Sequence, residues 1–243
     1  MTPPSGRTGR AGGKPAEWRQ AGSRSEKAGL IRQALFRAAA EVVGEVGYGG
    51  ASVALITARA GVAQGTFYNY FRSRQDLFDQ LLPALGAEMR RHVREQAQAG
   101  TGFAEREALG LRAFFSFLAG TPHFLRILNE AELHAPLAHQ AHFEAVAQGY
   151  LDFLDKALAD GEFPGYERRE MEVVAYILMA ARSYLAWRYV RGRPRGLPEW
   201  IAQTYDKFVL YGLKGQPPPA APAAAPRAGG RRRRAGAAPP AGR

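Results

Sequence analysis

Between Ser52 and Arg74 the chain gathers side chains suited to touching nucleic acid. Gln64, Gly65, Thr66, Tyr68, Asn69 and Tyr70 place amides, hydroxyls and phenol groups in one run without an acid. Ser52 adds a hydroxyl upstream and Arg74 a guanidinium downstream. Groups of this kind hydrogen-bond phosphate oxygens and base edges. To act together they need a rigid frame, and the spacing of apolar residues supplies one. Val53 and Ile56 repeat at i, i+3 behind Ser52, a suitable N-cap. Gly61 ends that helix where the backbone must open, and Val62 returns to the core. Phe67 and Phe71, at i, i+4, turn a second helix inward from a start near Ala63 or Gln64. Two short helices joined by a tight turn are expected, and in a helix-turn-helix the second enters the major groove. An ordinary surface hairpin of helices is the alternative.

The run Ala60-Gly61-Val62, Gly65-Thr66-Phe67-Tyr68, Tyr70-Phe71, followed by Arg74 and Asp76-Leu77-Phe78, resembles the N-terminal DNA-binding domain of the TetR family of bacterial repressors. The resemblance spans about Ser25 to Leu82. Three residues depart from the family pattern. Thr57 stands where Ala is usual, Ala63 replaces a Ser or Thr cap, and Gln64 replaces a common cation. Loss of such a cap costs about 1 kcal/mol. The resemblance implies that Thr66, Tyr68, Tyr70 and Arg74 mainly hold phosphates, with Gln64 and Asn69 placed for base edges. It also implies a double-stranded operator as partner.

The chain has 243 residues and 46% hydrophobic content, enough for one or two domains with a real core. Cysteine is absent, which excludes a disulfide framework and a thiolate metal site. There is no apolar run of roughly 18 residues and no apolar core in the Pro/Gly/Arg-rich start, so a cytoplasmic protein is expected. The net charge of +11 belongs to the ends. In residues 1–24, Arg7, Arg10, Lys14, Arg19 and Arg24 face Glu17 alone. In 214–243, Lys214, Arg227, the run Arg231 to Arg234 and Arg243 meet no acid. Residues 25–213 are then balanced. Tails of Pro, Ala, Gly and Arg cannot bury a core and are expected to be disordered, and their charge would attract DNA without regard to sequence.

Periodicity gives an all-α chain. A first helix is expected from Glu26 to Val46, with Leu30, Ile31, Ala34, Leu35, Ala38, Val42 and Val43 inward, ended by Gly47-Tyr48-Gly49-Gly50. A helix of about six turns follows from Gln75 to Gln98, with Leu77, Phe78, Leu81, Leu82, Leu85 and Met89 inward and Pro83 as a place to bend. Further helices are expected near 103–119, 122–134, 136–159, 168–191 and 198–213. The expected organisation is a basic arm over 1–24, a three-helix helix-turn-helix domain over 25–85, a helical bundle over 86–213 and a basic tail over 214–243. By the resemblance, the bundle binds an effector and dimerises, and the 75–98 helix links it to the reading domain.

Phe114, Phe117, Phe124, Tyr150, Phe153, Tyr176, Tyr184 and Trp187, with Leu128, are more aromatic surface than simple packing requires. The resemblance implies a small-molecule pocket among them, although each aromatic taken alone fits core packing better than pocket lining. Arg126, Asn129, Glu132, His134 and Arg182 are the polar candidates, and a largely apolar ligand with an anionic end near Arg126 or Arg182 is expected. The segment 173–181, VVAYILMAA, is apolar on all sides and needs cover on all sides. The last helix carries Trp200, Ile201, Tyr205, Phe208, Val209 and Gly212 at intervals of three and four. This surplus suggests a partner, and by the resemblance a two-fold homodimer. A repressor released by its ligand is therefore expected. One alternative is an architectural DNA binder driven by the tails. Another is a metal-dependent regulator or enzyme using His134, His139 and His142 with Glu132 and Glu144. Yet HExxH, GxSxG and a phosphate loop are absent, so no catalytic set, metal or cofactor is assigned.

Overall fold

The computed structural model describes residues 22–190 and 197–214. Every regular element within them is helical. α1 (Arg24–Gly50) opens on Ser23, whose Oγ accepts the Glu26 N–H at 3.1 Å. Its buried stripe includes Ile31, Leu35, Ala38, Val42 and Val43. The helix breaks at Gly47, which takes φ +75°, a left-handed conformation open to glycine without steric cost. The expected end at Val46 is thus this break, and one further turn carries Tyr48 into the core.

α2 (Val53–Ala60) and α3 (Gln64–Phe67) form the hairpin, and α4 (Arg74–Ala97) follows. The bundle continues with α5 (Gly102–Gly120), α6 (Phe124–His134), α7 (Pro136–Ala159), α8 (Met171–Tyr189) and α9 (Glu199–Lys214). A single 3-10 turn, Arg168–Glu170, precedes α8, so the helix expected over 168–191 is shorter at both ends.

α4 runs unbroken through Pro83 and across residue 85. Phe67, Phe71, Leu77 and Leu81 on the hairpin side join Leu111, Phe115, Phe124 and Ile127 in one continuous core. Each such fully buried side chain contributes about 1.5–3 kcal/mol. α4 packs against α5 and α7, and α6 packs across α1, so two separate seams tie the hairpin to the bundle. Among the described residues, no helix is long and apolar enough to cross a membrane. The expectations for the basic arm and tail fall on residues 1–21 and 215–243, outside the described residues.

Candidate functional site

The α2–α3 hairpin is built by local rules. Ser52 Oγ accepts the Leu55 N–H at 3.2 Å and starts α2. Gly61 takes φ +69° and closes it, with the Val62 N–H returning to the Thr57 carbonyl at 3.0 Å. Thr57 is buried, and its hydroxyl is satisfied within its own helix by donating to the Val53 carbonyl at 2.8 Å. Ala63 makes no side-chain cap bond, and α3 is a single turn that passes into further turns up to Tyr70. Phe67 and Phe71 anchor it, their rings 5.4 Å apart and Phe36 edge-on to Phe71 at 5.3 Å. Outward from these anchors, Gln64, Gly65, Tyr68 and Asn69 are exposed, while Thr66 and Tyr70 are half-buried. The structure therefore gathers these six on one short segment. Arg74 is exposed beside them and donates to the Ala51 carbonyl at 3.3 Å, with its guanidinium 5.6 Å from the Phe78 ring centre. It braces the start of α4 against the residue before Ser52. Arg59 is committed to α1, bonding Glu41 and Glu45 at 2.7–3.0 Å.

α4 begins where the reading segment ends. Ser73 Oγ accepts the Asp76 N–H at 3.1 Å, and Asp76 accepts the Arg72 N–H at 2.8 Å, which holds the Asp76 carboxyl below its ordinary pKa. Three turns later the same helix lines a cavity.

The second seam is a clasp. Arg126 of α6 donates to the carbonyls of Gly44 and Glu45 at 2.9 and 3.0 Å and to Glu130 at 2.7 Å. Glu130 in turn accepts the Tyr48 N–H at 3.0 Å. The pair thus takes up the acceptor of Gly44 and the donor of Tyr48, two groups that an unbroken helix would join. Burial opposes the charge on Glu130, but the bonds from Arg126 and Tyr48 outweigh it and its pKa lies below the usual value. No side chain fits at Gly44, where a Cβ would run into the His123 ring of α6's cap.

Between α4, α5, α6, α7 and α8 lies a cavity of about 650 Å3, within the range that holds one small molecule. Of the residues expected to line it, Phe114, Phe124, Leu128, Tyr150, Phe153 and Arg182 do so. Met89, Val93, Phe143, Val146 and Met179 add apolar wall. Arg182 is buried and bonds Glu107 Oε1 at 2.7 Å, and the same oxygen accepts the Tyr205 hydroxyl at 2.6 Å. Burial works against the Arg182 charge, yet Glu107 and the Tyr150 and Tyr205 hydroxyls raise its pKa overall. Tyr150 lies under that guanidinium at 5.2 Å, and burial pushes its phenol well up.

The other residues expected at the pocket are elsewhere, and of the polar candidates Asn129, Glu132 and His134 are exposed on α6. Arg126 faces α1 in the clasp, because its side of α6 is opposite to Phe124 and Leu128. Phe117 packs edge-on to Phe124 behind the cavity wall, its centroid 5.4 Å away. Tyr176 and Trp187 are exposed, as is Tyr184: Ala175, Leu178, Met179, Arg182 and Ala186 take the inward side of α8. Val173 and Ile177 share the outward face, so among the described residues the all-apolar helix is covered on one side only. On α9, Ile201, Tyr205 and Val209 are buried while Trp200, Phe208 and Tyr211 are exposed. Nor do the histidines converge. His134 stacks on Tyr48, His142 faces the cavity, and no group of three potential ligands is arranged for a metal among the described residues. Sequence reasoning passed over Arg90, Arg94 and Arg106, which also line the cavity. For Arg90 and Arg94 the available signal was their register on α4, next to Met89 and Val93; Arg106 stands on α5, one turn before Gly110 of the same wall.

Residues 35–81 match the family model described as bacterial regulatory proteins, tetR family. A fatty acid metabolism regulator protein of Bacillus subtilis (strain 168) is 34% identical over 141 residues, covering 56% of this chain and 70% of that protein. The fatty acid degradation regulator FadR from Bacillus halodurans superposes with a TM-score of 0.66 at 20% identity, covering 75% of this chain and 96% of the other. The transcriptional regulator FadR from Bacillus subtilis, solved in complex with stearoyl-CoA, gives 0.63 at 21% identity over 74% and 98%.

Proposed function

Because the chain belongs to the TetR family of bacterial regulatory proteins, we propose that it is a dimeric transcriptional repressor released from its operator by an amphiphilic ligand in the α4–α8 cavity. One observation carries this reading: α4 starts at the end of the acid-free reading segment and, unbroken, places Met89, Arg90, Val93 and Arg94 in the cavity wall. Ser52, Gln64, Gly65, Thr66, Tyr68, Asn69, Tyr70 and Arg74 form the DNA surface of the unit 25–85. Gln64 and Asn69 read base edges, and the rest hold the backbone.

The unit 86–213 binds the ligand and the second subunit. The outward faces of α8 and α9 expose Val173, Tyr176, Ile177, Tyr184, Trp187, Trp200, Phe208 and Tyr211, a surplus of large apolar side chains that marks an interaction surface. A two-fold contact through this face puts two reading segments on successive turns of DNA, about 34–36 Å apart or a multiple of that. The ligand class follows from the apolar lining and from the relative solved with stearoyl-CoA: a fatty acyl thioester or a related chain. Such a ligand acts by binding the two positions of α4 unequally, with a coupling of about 1–3 kcal/mol, or roughly 5- to 150-fold in operator affinity. The role is regulatory rather than catalytic.

Selection from random duplex DNA, followed by titration of stearoyl-CoA against the selected duplex, tests the proposal. A two-fold symmetric motif, bound by a dimer and released by the thioester, is the expected result. A monomer in sedimentation that selects no motif would overturn it.

A further inference from the structure

This inference rests on the ligand-released repressor reading and concerns the end of the cavity between α4 and α7. Arg90 lines that end, and its Nη1 is buried without a hydrogen-bond partner. The acids on the cavity wall are engaged elsewhere: Glu107 by Arg182 and Tyr205, and Asp152 by Gln148. Burial, and then the like charge of Arg94, lower the pKa of Arg90, with no carboxylate working in the other direction. Arg94, one turn further along α4, lines the same cavity.

Across from Arg90 stands His142 of α7, 4% exposed. Its ring lies against α4 at Gly86, where a Cβ would collide with it, and Arg90 Nη1 approaches the same point. His142 Nδ1 is buried and also without a partner. Burial, then the charges of Arg90 and His139, keep the ring neutral, its pKa pushed down to about 4. Two polar atoms on facing helices therefore meet beside Gly86 without a partner, at the wall of the cavity that both residues line. One belongs to a cation without an ion pair among the described residues, the other to a neutral imidazole able to donate as its Nδ1–H tautomer. A partly buried guanidinium is compensated by an opposite charge far better than by a dipole.

We propose that Arg90 and His142, with Arg94 beside them, form a subsite for an anionic oxygen group on the ligand. The head of an amphiphile, a carboxylate or a phosphate, is then held by α4 itself while its chain lies among Phe114, Phe124 and Phe153. The signal enters the connecting helix directly at the charged end of the ligand. The chain sets affinity, and the head sets which helix position is favoured.

Isothermal titration with dodecanoate, dodecanoyl-CoA and dodecanol separates the possibilities, using wild type, Arg90→Gln and Arg91→Gln. Arg91 is an exposed control, paired with Glu95 on the outer side of the same helix. Wild type should bind at least one anion about ten- to hundredfold more tightly than the alcohol, the usual range for a charge-assisted bond. Arg90→Gln should collapse that ratio while leaving dodecanol binding within about twofold, and Arg91→Gln should preserve it. A collapse for dodecanoate marks a carboxylate at the subsite; a collapse for dodecanoyl-CoA alone marks its phosphates. Equal wild-type affinity for all three, or a uniform loss in Arg90→Gln, overturns the subsite and leaves the repressor reading intact. Binding of none of the three overturns both. A melting curve for each variant checks that it folds, and Gly86→Ala, which displaces the His142 ring, should lower the same ratio without touching a charge.

Discussion

Replacing Arg126 by Ala removes three hydrogen bonds at the clasp: 2.9 Å to Gly44, 3.0 Å to Glu45 and 2.7 Å to Glu130. A typical bond contributes a net of about 0.5–1.5 kcal/mol, and the partial exposure of Arg126 and Glu130 places these at the low end. The clasp should therefore be worth roughly 2 kcal/mol. That is comparable to a usual allosteric coupling of about 1–3 kcal/mol. α6 faces the cavity with Phe124 and Leu128 and grips α1 with Arg126 and Glu130, so in the proposed repressor it would be a second route from ligand to DNA surface. Arg126→Ala should lower stability by about 2 kcal/mol and leave ligand binding within about twofold. It should also shrink the ligand-induced loss of operator affinity by about tenfold or more. Fluorescence anisotropy of a labelled operator, with and without saturating dodecanoyl-CoA, gives that ratio, and urea unfolding gives the stability. If stability falls while the release ratio stays the same, the clasp holds the fold together but carries no signal.

Asn69→Ala should cost about 1–3 kcal/mol on the preferred operator and flatten preference at one base position, whereas Arg74→Ala should weaken all sequences alike and reduce the salt slope; repeating the selection with each variant checks both. Glu107→Leu strands the buried Arg182 charge and should cost about 3–5 kcal/mol in urea unfolding, most of it recovered in Glu107→Leu/Arg182→Met. For His142, with a folded pKa near 4 against about 6.5 unfolded, the unfolded chain alone takes up the proton between those values. Stability should thus be full above about pH 6.5 and fall as the pH drops through this window, by about 2 kcal/mol at pH 5. His142→Gln should lose that part of the acid sensitivity, measured as the difference in unfolding free energy between pH 7 and pH 5.

The parts of the fold that obey local rules are legible in the sequence. Ser52, Gly61, Phe67 and Phe71 specify the hairpin because a cap, a left-handed glycine and an i, i+4 pair each act over a few residues. The aromatic cluster of the bundle is legible as a cluster, but which side of each helix it occupies is not. In VVAYILMAA every face is apolar, so periodicity says nothing about whether Tyr176 faces the cavity or the outside, and the neighbours of α8 decide it. Arg126 shows the same limit on a charged residue. Its partners are carbonyls of a kinked helix some 80 residues away in the chain, and no side-chain type announces a broken helix end. His142 was hidden by the absence of a side chain, since its burial depends on Gly86 across the α4–α7 contact.

Tyr205 reaches inward from α9 to the carboxylate that also holds Arg182, while Trp200, Phe208 and Tyr211 leave the same helix on its outer side. In the proposed dimer, the helix that meets the partner is therefore pinned to the cavity wall of its own subunit. A ligand that disturbs Arg182 shifts the seat of α9, and the partner's α9 must answer across the seam. The two cavities of one dimer then do not fill independently. Ligand titration should depart from a Hill coefficient of one, and Tyr205→Phe, which keeps the ring and cuts the bond, should return it to one.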